Sequence, residues 1–307
     1  MPHSPGKLFM VGCSRSGTTL LQAIVSAHPA IVSFPETQFL SCIIGQTEER
    51  LFGNPGGYKQ RLKSRIQRYM LAIGLAPQPR SGARSLARFA DNIEDQAFQR
   101  LSFGQQLTVK SQFKRLLEVL ERQSLQRSAS HWLIKTPNNI AYMDVIEQHI
   151  PDAKFIHIVR PGEDVVASLY DAAQKYPDTA WNTTFYQGKL ERLATNWCRA
   201  IRYSADCANN NNHFIVFYED LIKNPEKVAE QLFAFIGVEE NTGCISDFSN
   251  QVESVKTTKE AWKTNMGSQI QSRNKYDEIF NEDEKKTLMN ILKEIELEKL
   301  FQRLPNN

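Results

Sequence analysis

An α/β fold is what this sequence predicts: a P-loop-type parallel sheet with helices on both faces and a helical insertion. Three observations carry the prediction. Four short apolar runs, Leu8 to Val11, Trp132 to Ile134, Phe155 to Val159 and Phe214 to Phe217, are too short for helices and sit among turn or polar residues, as buried parallel strands do. Helical patterns separate these runs, which is the alternation of βαβ units. Finally, Gly12 and Gly17 stand five apart between the first run and a helical pattern, the G-x-x-x-x-G frame of an anion-binding loop.

Taken in order, the first run leads through the glycine loop into a helix whose Leu20, Leu21, Ile24 and Val25 share a face and which stops at His28-Pro29. A second strand is expected just before Phe34. From about Ile43 to Ser130 the pattern is helical patches without a clear strand, read as an insertion (43–130) over the site. Further helices follow from Leu190, Leu193, Trp197 and Ile201, and from Val228, Leu232, Phe235 and Ile236, the latter ended by Gly237. The tail from Asp277 to Leu300 alternates acidic, basic and apolar residues at helical spacing and predicts one amphipathic helix packed on the body. The whole chain, 1–307, is expected to be a single domain, since its 307 residues suffice for one large α/β domain with an insertion.

Composition narrows the function. A hydrophobic content of 41% with 23% charged residues is ordinary for a globular protein. The net charge of +3 falls short of a dedicated nucleic-acid binder. Between Leu51 and Ala90 there is no Asp or Glu, yet Lys59, Arg61, Lys63, Arg65, Arg68, Arg80, Arg84 and Arg88 all fall there. That segment can attract an acidic partner or be a solvated face. Five cysteines without a C-x-x-C pair point to neither a disulfide framework nor zinc. With no signal-peptide pattern and no apolar run long enough to span a bilayer, a cytoplasmic protein is expected.

The glycine loop reads Gly12-Cys13-Ser14-Arg15-Ser16-Gly17-Thr18-Thr19. Such a loop directs backbone N–H groups and a helix N-terminus at one anion. A glycine pair also serves simply to turn strand into helix, but Ser14, Arg15, Ser16, Thr18 and Thr19 add five side chains able to donate. A nucleoside triphosphatase places Lys after the second glycine. Here Thr18 stands there, and the positive charge is Arg15 inside the loop.

In these residues the sequence resembles the sulfotransferases that use 3′-phosphoadenosine 5′-phosphosulfate (PAPS), whose loop commonly reads R-S-G-T-T or K-S-G-T-T before a helix. The resemblance implies the sulfotransferase fold, PAPS as co-substrate without a metal, and a loop in which Ser14, Arg15, Ser16, Gly17, Thr18 and Thr19 hold the 5′-phosphosulfate. The family's 3′-phosphate motif has Arg followed eight positions later by Ser, matched by Arg160 and Ser168. Ser168, on the helix after Arg160-Pro161-Gly162, is expected to fold back to Arg160. Relatives commonly read R-D-P where this chain reads R-P-G. Tyr218, in Tyr218-Glu219-Asp220-Leu221, matches the family's Y-E-D-L segment, whose Tyr approaches the adenine. A segment between Lys256 and Lys275, with Lys256, Lys259, Trp262 and Lys263, is expected to close over the nucleotide within a C-terminal region 250–307.

Transfer to a hydroxyl needs a base near the attacking oxygen and a cation near the leaving one. Glu36, in Phe34-Pro35-Glu36-Thr37, matches the Glu-Thr base of the protein-tyrosine sulfotransferase branch at the same interval from the loop Arg, as does Ala27-His28-Pro29. Lys135, in Ile134-Lys135-Thr136-Pro137, occupies the place of the family's K-T-P or K-D-P lysine. Many bacterial relatives place a His after that Pro, where this chain has Asn138 and Asn139. His28, His149, His157 and His213 are scattered and read as structural. The acceptor stays open among peptide tyrosine, carbohydrate, lipid and small molecule, and nucleic acid is not expected. A catalytically silent nucleotide-binding module and a P-loop kinase are the alternatives.

Overall fold

The computed structural model describes residues 4–53, 58–239 and 275–301. Among them are five strands, β1 (Gly6–Gly12), β2 (Ile31–Phe34), β3 (His131–Lys135), β4 (Ala153–Val159) and β5 (His213–Phe217). They form one sheet in the order β2-β3-β1-β4-β5. The β2–β3 and β4–β5 pairings are parallel. The strand expected before Phe34 is present as β2.

Two compact units are found, Met1–Phe9 with His28–Lys154, and Met10–Ala27 with Phe155–Asn307. In the first, Phe9 and Trp132 pack edge to face at 5.4 Å, and Leu133 and Ile134 are buried beside them in the sequence. This is the near-continuous apolar run of a strand covered on both faces. Helices fill the region expected to be a helical insertion: α2 (Phe39–Ile44), α3 (Thr47–Phe52), α4 (Tyr58–Ala72), α5 (Pro79–Asn92), α6 (Phe103–Gln106) and α7 (Val109–Gln126). Pro79 opens α5 at a position that needs no backbone donor. Thr108 caps α7 by accepting from Ser111 N. Among the described residues of this stretch, extended pairing amounts to one isolated bridge, Leu75 with Thr108.

In the second unit α1 (Thr18–Ser26) buries Leu20, Leu21, Ile24 and Val25, the face its spacing predicts. α8 (Met143–His149) belongs to the first unit, and α9 (Gly162–Lys175), α10 (Leu190–Asp206), α11 (Tyr218–Lys223) and α12 (Pro225–Ile236) follow in the second. Gly237 ends α12 in the left-handed conformation. The tail departs from the single helix expected. It is broken into Lys275–Ile279, Glu282–Leu292 and Leu297–Leu300. The cause is local: Asn281 accepts from Glu284 N while Glu284 accepts from Asn281 N, both at 3.0 Å, so a capping box starts a new helix inside the pattern. No described helix is long and apolar enough to cross a membrane. The expected nucleotide-closing residues Lys256, Lys259, Trp262 and Lys263 lie outside the described residues.

β4 and β5 share a buried polar pair. His157 Nε2 meets His213 Nδ1 at 2.9 Å, and His157 Nδ1 meets Ser204 Oγ at 3.0 Å. Burial, reinforced by His213, pushes the His157 imidazole down to about 3 from 6.5. Below about pH 6.5 the unfolded chain takes up a proton that folded His157 refuses until about pH 3. The stabilisation from neutral His157 is therefore complete above that window and is lost as pH falls through it. Replacing His157 with Asn is expected to make urea-denaturation stability less steep in pH between about 4 and 6, by up to ~1.4 kcal/mol per pH unit. Equal slopes for both proteins would refute this account.

Candidate active site

The glycine loop is built by backbone conformations that few side chains tolerate. Gly12 has φ 152°, and a Cβ there would lie 2.7 Å from Ile158 O. Gly17 has φ 98°, and a Cβ there would lie 2.6 Å from Cδ2 of Tyr218. Between them Arg15 itself takes a left-handed φ of 73°, uncommon for a non-glycine residue. Ser16 N closes the turn on Cys13 O at 3.2 Å. The chain enters α1 with no side-chain cap and no acidic residue in its first turn. First-turn amides and the positive end of the helix dipole therefore face outward from the loop. Ser16 is fully buried, and its Oγ has no hydrogen-bond partner among the described residues. A buried hydroxyl left so calls for an explanation, and an incoming acceptor supplies one. Ser14 and Thr18 are buried beside it, and Thr19 is half-buried.

Arg15 Nε donates to Ser168 Oγ at 3.0 Å, tying the loop to α9. Burial, the largest influence, pushes the Arg15 guanidinium below its ordinary value; Asp171 opposes this and Arg160 adds to it. Asp171 in turn accepts from Lys175 at 3.0 Å and Lys275 at 3.1 Å.

Arg160 follows β4 and Tyr218 follows β5, and the parallel register sets Val159 opposite Phe217. Strand pairing therefore delivers the two residues side by side, and the Arg160 guanidinium lies 4.2 Å from the Tyr218 ring centroid. Arg160 Nε and Nη2 both donate to Asp164 Oδ2, at 3.1 and 3.0 Å. Trp197 Nε1 fixes the Arg160 carbonyl at 2.9 Å. The expectation that Ser168 folds back to Arg160 is corrected here. Ser168, eight residues beyond Arg160, takes Arg15, while Asp164, four residues beyond Arg160, takes its guanidinium.

In the other unit, β2 and β3 run parallel with Phe34 opposite Ile134. Their carboxyl ends bring Glu36 and Lys135 together as an ion pair between Lys135 Nζ and Glu36 Oε1. The lysine side chain is 1% exposed and the glutamate 29%. A buried ammonium without a counter-charge is costly, so Glu36 stabilises Lys135 while keeping an edge in solvent. Two threonines hold the strand ends: Thr37 N donates to Thr136 Oγ1 at 3.2 Å, and Thr136 Oγ1 donates to Thr37 O at 3.2 Å. Thr37 Oγ1 also accepts from Phe39 N at 3.1 Å, at the start of α2. Among the described residues, no cluster of His, Cys, Asp and Glu could hold a metal ion.

A model of the Sulfotransferase family matches residues 5–242. The chain belongs to the sulfotransferase family. Protein-tyrosine sulfotransferase 1 of Danio rerio is 25% identical over 233 residues, covering 75% of this sulfotransferase and 53% of that protein. Protein-tyrosine sulfotransferase 2 of Gallus gallus is 23% identical over 234 residues, covering 75% and 51%. The chain thus spans about half the length of the curated relatives it matches. A crystal structure of mouse sulfotransferase SULT7A1 complexed with PAP shares the fold, with a TM-score of 0.50 at 14% identity over 97% of this chain and 88% of that chain.

Several residues of this sulfotransferase's candidate site did not stand out in the sequence. Asp164 sits four residues after Arg160, a helical pairing interval that could have flagged it. Thr37 and Thr136 adjoin the two expected catalytic residues, but nothing short of the strand pairing says that they meet. Thr136→Val leaves the buried Thr37 N–H without its acceptor and is expected to cost ~1–3 kcal/mol in urea denaturation. Thr136→Ser, which keeps the hydroxyl, is expected to stay near wild type; equal losses for both would show that the hydroxyl is not what holds the strand ends.

Proposed function

We propose that this chain transfers a sulfuryl group from PAPS to an acceptor hydroxyl. The observation that carries the reading is the acid-free, uncapped start of α1 with the buried Ser16 Oγ beside it, unpartnered among the described residues. These are donors fixed in advance around one anion, the arrangement that stabilises developing charge without reorganisation. Ser14, Arg15, Ser16, Gly17, Thr18 and Thr19 are assigned to the 5′-phosphosulfate. Arg160 and Ser168 are assigned to the 3′-phosphate and Tyr218 to the adenine. PAP in the mouse SULT7A1 complex supports the nucleotide assignment. When bound, PAPS supplies the sulfuryl group in activated form.

The chain's own residues do the rest. Glu36 accepts the proton of the acceptor hydroxyl, and its partly exposed carboxylate is reachable for that task. Lys135 orients that carboxylate through the ion pair. Lys135 and Arg15 are assigned to the negative charge that develops on the leaving side. As Glu36 takes the proton its charge is neutralised, so the Lys135 ammonium is least compensated when the leaving oxygen becomes most negative.

For the acceptor we favour a tyrosyl hydroxyl flanked by acidic residues. The relatives from Danio rerio and Gallus gallus carry the name protein-tyrosine sulfotransferase. In addition, Arg80, Arg84, Arg88 and Arg100 line a cleft with Phe98 and Phe103, cations and aromatic faces suited to such a peptide.

Transfer of label from PAPS to an acidic tyrosyl peptide is the direct test. Glu36→Gln is expected to lower turnover by ~10² to 10⁴ with PAP affinity unchanged. Near-normal turnover would remove Glu36 as the base, and PAP binding with no transfer to any hydroxyl acceptor would favour a silent nucleotide-binding module. Arg84→Glu with Arg88→Glu is expected to raise KM for the acidic peptide about tenfold or more while leaving a neutral phenolic acceptor unaffected. An equal effect on both acceptors would argue against the arginine-lined cleft as the peptide site.

A further inference from the structure

α4 is turned inside out. Its buried residues are Ser64 and Gln67, and Gln46 Nε2 donates to Ser64 O at 3.0 Å while Ser64 Oγ donates to Glu49. The polar face thus anchors the helix to the body. The apolar residues Tyr58, Leu62, Ile66, Tyr69 and Ile73 are instead 46–81% exposed. Ile73 lies just past the helix end at Ala72. At 3.6 residues per turn these five fall within a stripe ~80° wide, roughly opposite the buried face. An amphipathic helix in a globular protein ordinarily does the reverse.

Charge follows the same geometry. By helical position Lys59 and Lys63 border one side of the stripe, and Arg61, Arg65 and Arg68 border the other. Arg68 is paired with Glu49 at 2.5 Å. No Asp or Glu occurs from Leu51 to Ala90, so no acidic residue within that stretch opposes the cations. An apolar ridge with cationic rims on both sides, on a helix of 15 residues, matches a planar surface that is apolar inside and anionic at its rim. The five exposed side chains form one stripe along a single helix, the form of a face that lies along a surface.

We propose that α4 is an interfacial helix that docks this protein on the surface of an anionic lipid bilayer, with Leu62, Ile66 and Tyr69 entering the acyl boundary and Lys59, Lys63 and Arg65 meeting the headgroups. The proposal is independent of the catalytic reading, because none of these residues is assigned to donor, base or acceptor.

Vesicle flotation of the full chain tests it, with phosphatidylcholine vesicles compared against mixed phosphatidylserine–phosphatidylcholine vesicles. The wild type is expected to partition about tenfold or more in favour of the anionic vesicles, and less so as salt is raised. Leu62→Gln with Ile66→Gln is expected to lower that partitioning about tenfold, and Lys59→Glu with Lys63→Glu to lower it as well. All of these side chains are exposed, so circular dichroism and thermal unfolding should match the wild type. Failure to float with anionic vesicles would overturn the proposal. It would also be overturned if Leu62→Gln with Ile66→Gln left flotation intact, which would mark a face for polyanions such as acidic peptides, or if that variant instead abolished a lipid-free dimer, which would make a second copy the occupant.

Discussion

Gly17 has no room for a side chain, and much of the second unit's geometry depends on that. Its backbone sits at φ 98° with the Tyr218 ring where a Cβ would go. The same ring lies beneath the Arg160 guanidinium, and the start of α1 that Gly17 forms is left uncapped. One close approach therefore couples the end of the glycine loop, the residue after β4 and the residue after β5. Arg15 completes the arrangement from the other side by donating to Ser168 on α9. An anion arriving at Arg160 meets a guanidinium already engaged by Asp164, so its binding energy there is a difference between two partners rather than a full ion pair.

The first unit solves a different electrostatic problem. Lys135 is taken out of water by the strand that carries it, and the sheet answers by setting Glu36 at the end of the neighbouring strand. Removing either partner would leave a charge poorly compensated, which is why such pairs are costly to break even where they contribute little net stability. The Thr37–Thr136 bonds fix the two chain ends so that the pair does not depend on long, mobile side chains alone.

Much of this was legible in the sequence, and the limits have physical causes. Leu8 to Val11 and Phe155 to Val159 are strands because apolar runs of that length have few alternatives. The insertion is helical as its patterns require. The tail misled because a charged, amphipathic period continues across Phe280 and Asn281, where only the capping box reveals the break. Within the candidate site, the residue types were visible but their partners were not. Arg15 and Ser168 are 153 residues apart, and Glu36 and Lys135 are 99 apart. Spacing along the chain offered Ser168 to Arg160, and three-dimensional proximity gave it to Arg15. α4 shows the converse failure. The helical pattern of this stretch cannot say which face the body covers, and here the bonds of Ser64 decide it.

On the proposed reading, two anion grips, one at the glycine loop and one at Arg160, together read a nucleotide with phosphates at both its 5′ and 3′ positions. Calorimetric titration of PAP against adenosine 5′-monophosphate, in wild type and in Arg160→Ala, addresses it most directly. The wild type is expected to prefer PAP about a hundredfold, or ~2.7 kcal/mol, and Arg160→Ala to shrink the preference to a few-fold while leaving the monophosphate's affinity unchanged. Equal affinities of the wild type for the two nucleotides would contradict it.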